Sequence, residues 1–371
     1  MSHKRYDQIS IADKLIGPGR SRSDRFFEMV ERVVDWKPIE ESLGVIHNSR
    51  RGRPAITPLL MFKTLLVQRF YDLSDPATED ALNDRKSFAR FVGLPLDEAA
   101  PDHSSISRFR SELLRRDLMD QLLGQLAAQI EAKGLVLKQG TLMDATFVRS
   151  AARPPSAPPK PKDKSAPPAA PKHEAKAAPD APQDKAEPPA AASKDQAPPA
   201  VASAPEDPFA AGKRSRRDPD ARWAKKGRQA YFGYKLHIAV DDERRIIRAH
   251  KVTAANVNDC TIGPDLVQID GGAHYADKGY PSQPLRDKLA AHGLPDGVMQ
   301  LGTKHHPLRP ASKRRNRALA RPRAFVEGVF GECKQRLGLL RARYFGLAKV
   351  QFECALVVFA FNLKTMALAP A

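Results

Sequence analysis

The chain has 371 residues, enough for two or three domains with their own cores, and its formal net charge is +18. Lys and Arg number 61 against 43 Asp and Glu, which favours a polyanionic partner over a neutral substrate. The longest uncharged apolar run, 354–363, is too short to span a bilayer, and no apolar stretch follows the basic residues at the start. We therefore expect nucleic acid, not a membrane, as the partner.

Cysteine usage points to a reducing compartment. The three cysteines are odd in number and far apart in the sequence, and no two of them form a CxxC pair of the zinc or redox type. A cytoplasmic setting follows from this pattern.

Residues 1–135 are predicted to be an α-helical region. Apolar residues recur at three- and four-residue spacing in the segments 26–43, 57–73, 74–94 and 103–134. Thr57 before Pro58, and Ser74 before Asp75, are residues that favour the start of a helix.

The segment 103–134 begins with a turn that leads into an amphipathic helix, the pattern of a helix-turn-helix DNA reader. We expect Arg108 and Arg110 to be exposed on this helix, with Arg115 and Arg116, and to contact DNA. An ordinary solvated basic helix face gives the same pattern.

The segment 151–210 cannot build a core. It holds half of the 32 prolines, equal numbers of acidic and basic residues, and almost no large apolar residue. This composition is typical of a disordered, partly polyproline-like linker or surface loop. The net positive charge therefore belongs to the regions on either side.

Residues 136–150 and 211–371 are predicted to form an α/β domain. Short apolar or alternating segments indicate strands, and longer periodic segments between and after them indicate helices. The strands are 141–148, 231–240, 244–254, 271–277 and 297–304, and the helices are 260–269, 281–292 and 316–341. This order favours a mixed sheet.

Three acidic residues in this domain are candidates for catalysis. Asp144 lies within an apolar strand, where an unpaired carboxylate would be costly to bury, and Asp277 follows the apolar part of another strand. Glu327 lies on the last predicted helix, where Arg323 and Lys334 share its face.

Two strand acids and one helix acid suit a divalent-metal site for phosphoryl transfer. Carboxylate oxygens bind Mg²⁺, for which Mn²⁺ can substitute, and a pair of ions about 3.5 to 4 Å apart can assist an in-line displacement. Arg323 and Lys334 would then bind backbone phosphate. Taken singly, a strand Asp can cap a turn and a helix Glu can belong to a solvated ion pair. Their joint occurrence in this order favours the catalytic interpretation.

A basic stretch leads into the helix of Glu327. Residues 304–323 hold eight Lys or Arg, among them Arg314, Arg315 and Arg317, and no acidic residue. Because a solvated loop is rarely so one-sided, we expect DNA contact there.

Three further residues are secondary candidates. Asp259 can act as a supporting acid or as a helix cap, and capping is the preferred interpretation. Lys235 and His237 alternate along one strand and so share a face near the candidate site, with His237 interpreted as a packed strand histidine.

Several motifs together resemble the Asp-Asp-Glu transposases of the insertion sequence five family, within the insertion-sequence-four group. The motifs are DAT at 144–146, ADKGY at 276–280 and an Arg-x3-Glu-x6-Lys spacing that ends at Lys334. Further blocks resemble the recurring segments of that family, so that the likeness covers nearly the whole chain except 151–210. These blocks lie at 52–75, 101–110, 217–241 and 253–259. Ala320 departs from the family pattern, which often has Tyr there.

The resemblance implies a ribonuclease H-like catalytic core preceded by an α-helical DNA-binding region. It implies metal ligands at Asp144, Asp277 and Glu327, with Arg323 and Lys334 as basic companions. The implied partner is double-stranded DNA, both terminal inverted repeats and target DNA, bound by a homodimer in the cytoplasm at the nucleoid. Two alternatives remain open: a metal-dependent nuclease without strand transfer, and a domesticated DNA-binding protein.

Overall fold

The computed structural model describes residues 21–46, 56–95, 97–136, 138–154, 218–303 and 305–369, with the side chains of 321–324 left out. Helices alone precede the first strand in this part of the chain. They are α1 (Arg22–Val33), α2 (Lys37–Leu43), α3 (Pro58–Phe70), α4 (Asp75–Asp84), α5 (Lys86–Val92), α6 (His103–Arg115) and α7 (Leu118–Ala132).

Strands and helices alternate after residue 139. The strands are β1 (Gly140–Arg149), β2 (Arg222–Lys226), β3 (Gln229–Asp241), β4 (Ile247–Ala254), β5 (Ala273–Ala276) and β6 (Asp296–Val298). The helices are α8 (Asp259–Leu266), α9 (Gln283–Ala291), α10 (Pro310–Gln335) and α11 (Leu347–Leu368). The predicted mixed α/β architecture after a helical region is confirmed.

Three of the predicted helices are each two shorter helices. The segment 26–43 is interrupted before Pro38, which cannot donate a backbone hydrogen bond. The segment 74–94 is interrupted at Arg85, whose backbone is extended, and 103–134 at Asp117, whose φ of 52° is left-handed. Side-chain periodicity continues across such breaks, so it does not locate them.

The predicted helix starts at residues 57 and 74 are confirmed. Helix α3 begins at Pro58 after Thr57, and α4 begins after Ser74, whose hydroxyl accepts a hydrogen bond from the backbone N–H of Ala77. Asp102 caps α6 in the same way, because its carboxylate accepts from the N–H of Ser105.

Strand β1 lies at the centre of a six-stranded mixed sheet. It pairs antiparallel with β3 and parallel with β5, and β5 pairs parallel with β6. Strands β2 and β4 both pair antiparallel with β3, along successive parts of its length. The carboxyl ends of β1, β5 and β6 therefore lie along one edge of the sheet.

The two faces of the sheet belong to two hydrophobic cores. The larger core includes Leu142 and Val148 of β1, the helices before residue 135, and α10 and α11. The smaller core includes Met143 of β1 with residues of α8 and α9. Because side chains alternate along a strand, Asp144 lies on the face of the larger core.

Helix α11 forms the middle of the larger core and was not predicted. It is long and apolar enough to cross a membrane by length and composition, but 83% of its apolar window is buried inside the protein. It packs against β4 and against α1 and α7 of the helical region. Its apolar composition is therefore that of a core helix.

The described residues of the helical region and of the sheet belong to one compact unit. The change at residue 135 is thus a change from helices to strands around a shared core. Of the predicted linker 151–210, only 151–154 fall within the described residues. Ser150 donates a hydrogen bond of 2.7 Å to the carboxylate of Asp218, so the chain returns close to where it left the sheet.

Gly233 lies where β1, β2 and β3 meet, and we expect Gly233→Ala to destabilise the protein. Its φ is 152°, and an added Cβ would clash with the carbonyl oxygen of Val148 and lie 2.6 Å from the backbone nitrogen of Ser150. The expected loss is about 1 to 3 kcal/mol in the free energy of unfolding, measured by urea denaturation.

Gly124 supplies the matched control for this substitution. It lies within α7, and nothing lies within 4 Å of a Cβ added there. Gly124→Ala should therefore stabilise the protein by about 0.5 to 1 kcal/mol. Equal effects of the two substitutions would contradict the close approach of β1 to Gly233.

Candidate active site

Asp144 and Asp277 lie at the same level on two neighbouring parallel strands. The register of β1 and β5 pairs Met143 with Ala276, and each acid is the next residue along its strand direction. Asp144 continues within β1, whereas Asp277 is the first residue after β5. The parallel pairing therefore brings two carboxylates that are 133 positions apart to one edge of the sheet.

Backbone hydrogen bonds orient both carboxylates. Oδ1 of Asp144 accepts from the N–H of Ala145 at 2.8 Å, and Oδ1 of Asp277 accepts from the N–H of Gly279 at 2.7 Å. Both acids are half-buried. The local backbone thus orients each carboxylate, and both side chains remain partly exposed to solvent.

Glu327 lies on the helix that covers these strands. Helix α10 packs against β1 and β5, and it buries Val326, Val329 and Phe330 in the larger core while Glu327 is exposed. Within the described ranges, no group of three or more His, Cys, Asp or Glu side chains could hold a metal ion. The structure therefore brings Asp144 and Asp277 together and places Glu327 on the neighbouring helix, without closing a three-carboxylate cluster.

Lys334 lies seven residues beyond Glu327, near the end of α10. Its side chain is half-buried, and burial lowers the pKa of its ammonium group, with smaller contributions from Lys226 and Arg149. Among the described residues, no carboxylate lies within ion-pair distance of Lys334. An anion at this position would favour the charged form of Lys334. The side chain of Arg323 lies outside the described part of the protein.

Asp259 lies beside the loop of Asp277, and its interpretation as a helix cap is wrong. The N-cap position of α8 is Asn258, and Asp259 is the first residue of the helix. Oδ1 of Asp259 accepts a hydrogen bond of 2.8 Å from Lys235. A Cβ built on Gly279 would lie 3.2 Å from Oδ2 of Asp259 and 3.0 Å from Oδ1 of Asp277, so the two acids flank this glycine.

His237 is a packed strand histidine, as expected. It is fully buried, and Nε2 lies 3.0 Å from the hydroxyl of Thr253. Burial lowers its pKa to about 4, and the negative charge of Asp259 opposes this only in part. The imidazole is therefore neutral at pH 7.

Arg110 does not lie on the surface, so the prediction that it is exposed is wrong. It is only 1% exposed, and its guanidinium donates to the carboxylate of Asp75 at 3.1 Å and to the side-chain oxygen of Gln68 at 3.2 Å. Ile106 and Leu113 are buried on the same side of α6, three or four residues away. Arg110 therefore belongs to the inner face of the helix and ties α6 to α3 and α4.

The other predicted DNA-binding arginines differ in exposure. Arg108, Arg314 and Arg317 are exposed. Arg315 is half-buried, and it donates to the backbone carbonyls of Val298, at 2.8 Å, and Asp296, at 2.5 Å. Arg315 thus fastens the start of α10 to the end of β6, and its guanidinium is largely engaged within the protein.

Comparison with known families identifies the chain. A family model described as Transposase domain (DUF772) matches residues 18–112, which cover α1 to most of α6. A second model, described as Transposase DDE domain, matches residues 137–363 and so covers the sheet, both candidate strand acids and α10. No solved structure gives a significant match. Since the second model covers more than half of the chain, the protein belongs to the Transposase DDE domain family and is a DDE transposase that acts on DNA.

Proposed function

We propose that this transposase cleaves DNA at the terminal inverted repeats of an insertion sequence and joins the ends to target DNA, using Asp144, Asp277 and Glu327. The observation that carries the proposal is that Asp144 and Asp277 occupy adjacent positions on two paired parallel strands, which the helix of Glu327 covers. The motifs that end at Lys334 favour the insertion sequence five family, within the insertion-sequence-four group.

The strand order supports a ribonuclease H-like core. Strands β4, β3 and β1 form an antiparallel meander, and β5 and β6 extend the sheet parallel to β1 on its other side. Helix α10 covers the strands that carry the two acids. Helices α1 to α7 would then be the DNA-binding region, with Arg108 on its surface.

The family implies a divalent metal ion, and the donor set fits Mg²⁺, with Mn²⁺ as a substitute. Asp144 and Asp277 offer hard carboxylate oxygens at an accessible sheet edge, and Glu327 would add a third from α10. When bound, such an ion activates the attacking oxygen and stabilises the leaving oxygen of the phosphodiester.

The residues of the chain position the DNA for this step. The N–H of Gly279 donates to Oδ1 of Asp277 and so fixes the orientation of this carboxylate. Lys334 and Arg149 supply positive charge for the phosphate backbone, and Arg314 and Arg317 extend this charge along α10. Arg323 would add to it from the turn before Glu327.

Joining of DNA ends separates a transposase mechanism from simple hydrolysis. The purified protein, given Mg²⁺ and a duplex that carries the ends of its own element, should produce free 3′ ends and also products joined to a target plasmid. Cleavage without any joined product would favour the nuclease alternative, and binding without cleavage would favour the domesticated DNA-binding protein.

Two further features of the proposal concern assembly and location. Two protomers would pair two DNA ends in a homodimer, and the protein would act in the cytoplasm at the nucleoid. Light scattering of the protein with a terminal-repeat duplex should give a complex of two chains and two duplexes. A complex of one chain and one duplex at cleavage-competent concentrations would contradict the paired assembly.

Lys334→Gln should weaken DNA binding and reduce its dependence on salt. If Lys334 contacts one phosphate, the log-log slope of affinity against salt should decrease in magnitude by about 0.9. Lys138→Gln, which removes an exposed charge just before the amino end of β1, is the matched control. Identical slopes for the two variants, measured by fluorescence anisotropy, would exclude Lys334 from phosphate contact.

A further inference from the structure

Strand β2 and the beginning of β3 form a two-stranded ribbon outside the main sheet. Residues 229–232 of β3 pair only with β2, since pairing with β1 begins at Gly233 and pairing with β4 begins at Tyr234. Gly227, with a φ of 59°, lies in the turn that joins the two strands. The ribbon, residues 222–232, therefore extends beyond the carboxyl end of β1, the strand that carries Asp144.

The ribbon is strongly basic. Lys225, Lys226 and Arg228 are exposed around its turn, and the sequence has no acidic residue between Ala221 and Val240. In the part of the chain that the structure describes, these three cations have no carboxylate within ion-pair distance. Their charges therefore repel one another unless an anion from another molecule lies between them.

The charge of the ribbon continues toward the candidate active site. A cleft of about 400 Å³ at its base is lined by Arg149, Arg341 and the aromatic side chains of Trp223, Tyr231 and Phe232. Arg341 donates to the carbonyl oxygens of Ser150 and Ala151, so it is held at this position. Lys334 of α10 lies close enough to Arg149 and Lys226 for their charges to lower its pKa.

We propose that the ribbon is a DNA-binding surface that holds the duplex next to the cleaved phosphodiester. This inference rests on the proposed function and extends the DNA contacts beyond α6 and α10. A two-stranded ribbon has the width that the major groove of B-DNA accepts, and the three cations around its turn match the charge of the phosphates along the groove. An aromatic-lined cleft at its base adds apolar contact for the sugar and base edges.

The spacing along β1 fits a single duplex that contacts both places. Arg149 is five residues beyond Asp144, a distance of about 17 Å in an extended strand. The same length corresponds to about five base pairs of B-DNA, at about 3.4 Å per base pair. A duplex cleaved at the acids would therefore reach the base of the ribbon within half a helical turn.

Binding of a terminal-repeat duplex to a triple variant, Lys225→Gln/Lys226→Gln/Arg228→Gln, tests this surface. The control variant, Lys138→Gln/Arg244→Gln/Arg286→Gln, loses the same charge from positions at the amino end of β1 and β6, the end of the sheet opposite the ribbon. Anisotropy titrations without divalent metal, across a range of salt concentrations, give the affinity and its salt dependence. For the ribbon variant we expect a log-log slope smaller in magnitude by about 2 to 3, and for the control a change below about 1.

Equal slopes for the two triple variants would overturn the proposal. Weakening that is confined to single-stranded DNA of the same sequence would also overturn it, because the surface would then hold an unpaired strand. Thermal melting of both variants checks that the fold is intact. Since this readout needs neither metal nor cleavage, a failure of the ribbon proposal is distinguishable from a failure of the acids assigned under the proposed function.

Discussion

Asp277→Ala protein is expected to bind terminal-repeat DNA as tightly as the wild type and to leave it uncut. Asp277, at the carboxyl end of β5, supplies one of two carboxylates, and the other is that of Asp144 at the same level of β1; Ala retains none of the oxygen ligands. Loss of a group that stabilises charge in the transition state lowers rates by about 10²- to 10³-fold, and loss of a metal ligand should lower the cleavage rate at least that far. Asp144→Ala and Glu327→Ala should behave in the same way.

The control for these variants is an acid of the same domain outside the site. Asp287 is exposed on α9 and accepts a hydrogen bond from Gln283, four residues before it. Asp287→Ala should cut DNA at the wild-type rate. Cleavage at that rate by any one of the three active-site variants, with Mg²⁺ or Mn²⁺ present, would remove the residue from the site.

Glu353→Ala is expected to lower the free energy of unfolding by about 3 to 5 kcal/mol, the cost of leaving one buried charge without its partner. Glu353 of α11 binds Arg69 of α3 at 2.8 Å, and their side chains are 0% and 1% exposed. Glu353 also accepts from the backbone N–H of Arg343. The pair thus joins the helical region to the end of the catalytic domain, and urea denaturation measures its loss.

Two comparisons separate the buried pair from a general effect of charge removal. Asp265→Ala breaks a pair with Lys251 in which both side chains are about half exposed, and it should cost about 0 to 1 kcal/mol. The double variant Arg69→Met/Glu353→Leu removes both buried charges, so it should recover most of the stability that Glu353→Ala loses. A cost below about 1 kcal/mol for Glu353→Ala alone would contradict the account of this pair.

The sequence identified the strand acids because their signal is local. Asp144 is a carboxylate within an apolar strand, and Asp277 stands at the end of another, so each is conspicuous without knowledge of the fold. Their pairing depends on the parallel register of β1 and β5, which no local pattern contains. For the same reason the sequence did not show that Glu327 stays exposed on α10.

Residues whose surroundings come from distant segments were harder to predict. Arg110 and Arg108 lie in the same basic amphipathic segment, so the sequence does not distinguish them. Arg110 is buried because Asp75 and Gln68, on other helices, accept hydrogen bonds from its guanidinium. Helix α11 is apolar on all sides because other elements surround it, so it shows no amphipathic period. Strand β2 is short and charged, and it is a strand because it pairs with β3, which its own sequence does not indicate.

Manganese binding tests the central claim most directly, because it reports on the acids without requiring cleavage. Mn²⁺ titrated into the protein with a terminal-repeat duplex, and followed by electron paramagnetic resonance, should be bound by the wild type. The double variant Asp144→Asn/Asp277→Asn keeps side chains of similar size and should lose that binding while retaining the DNA. Equal Mn²⁺ binding by the two proteins would contradict the assignment of the metal site to Asp144 of β1 and Asp277 at the end of β5.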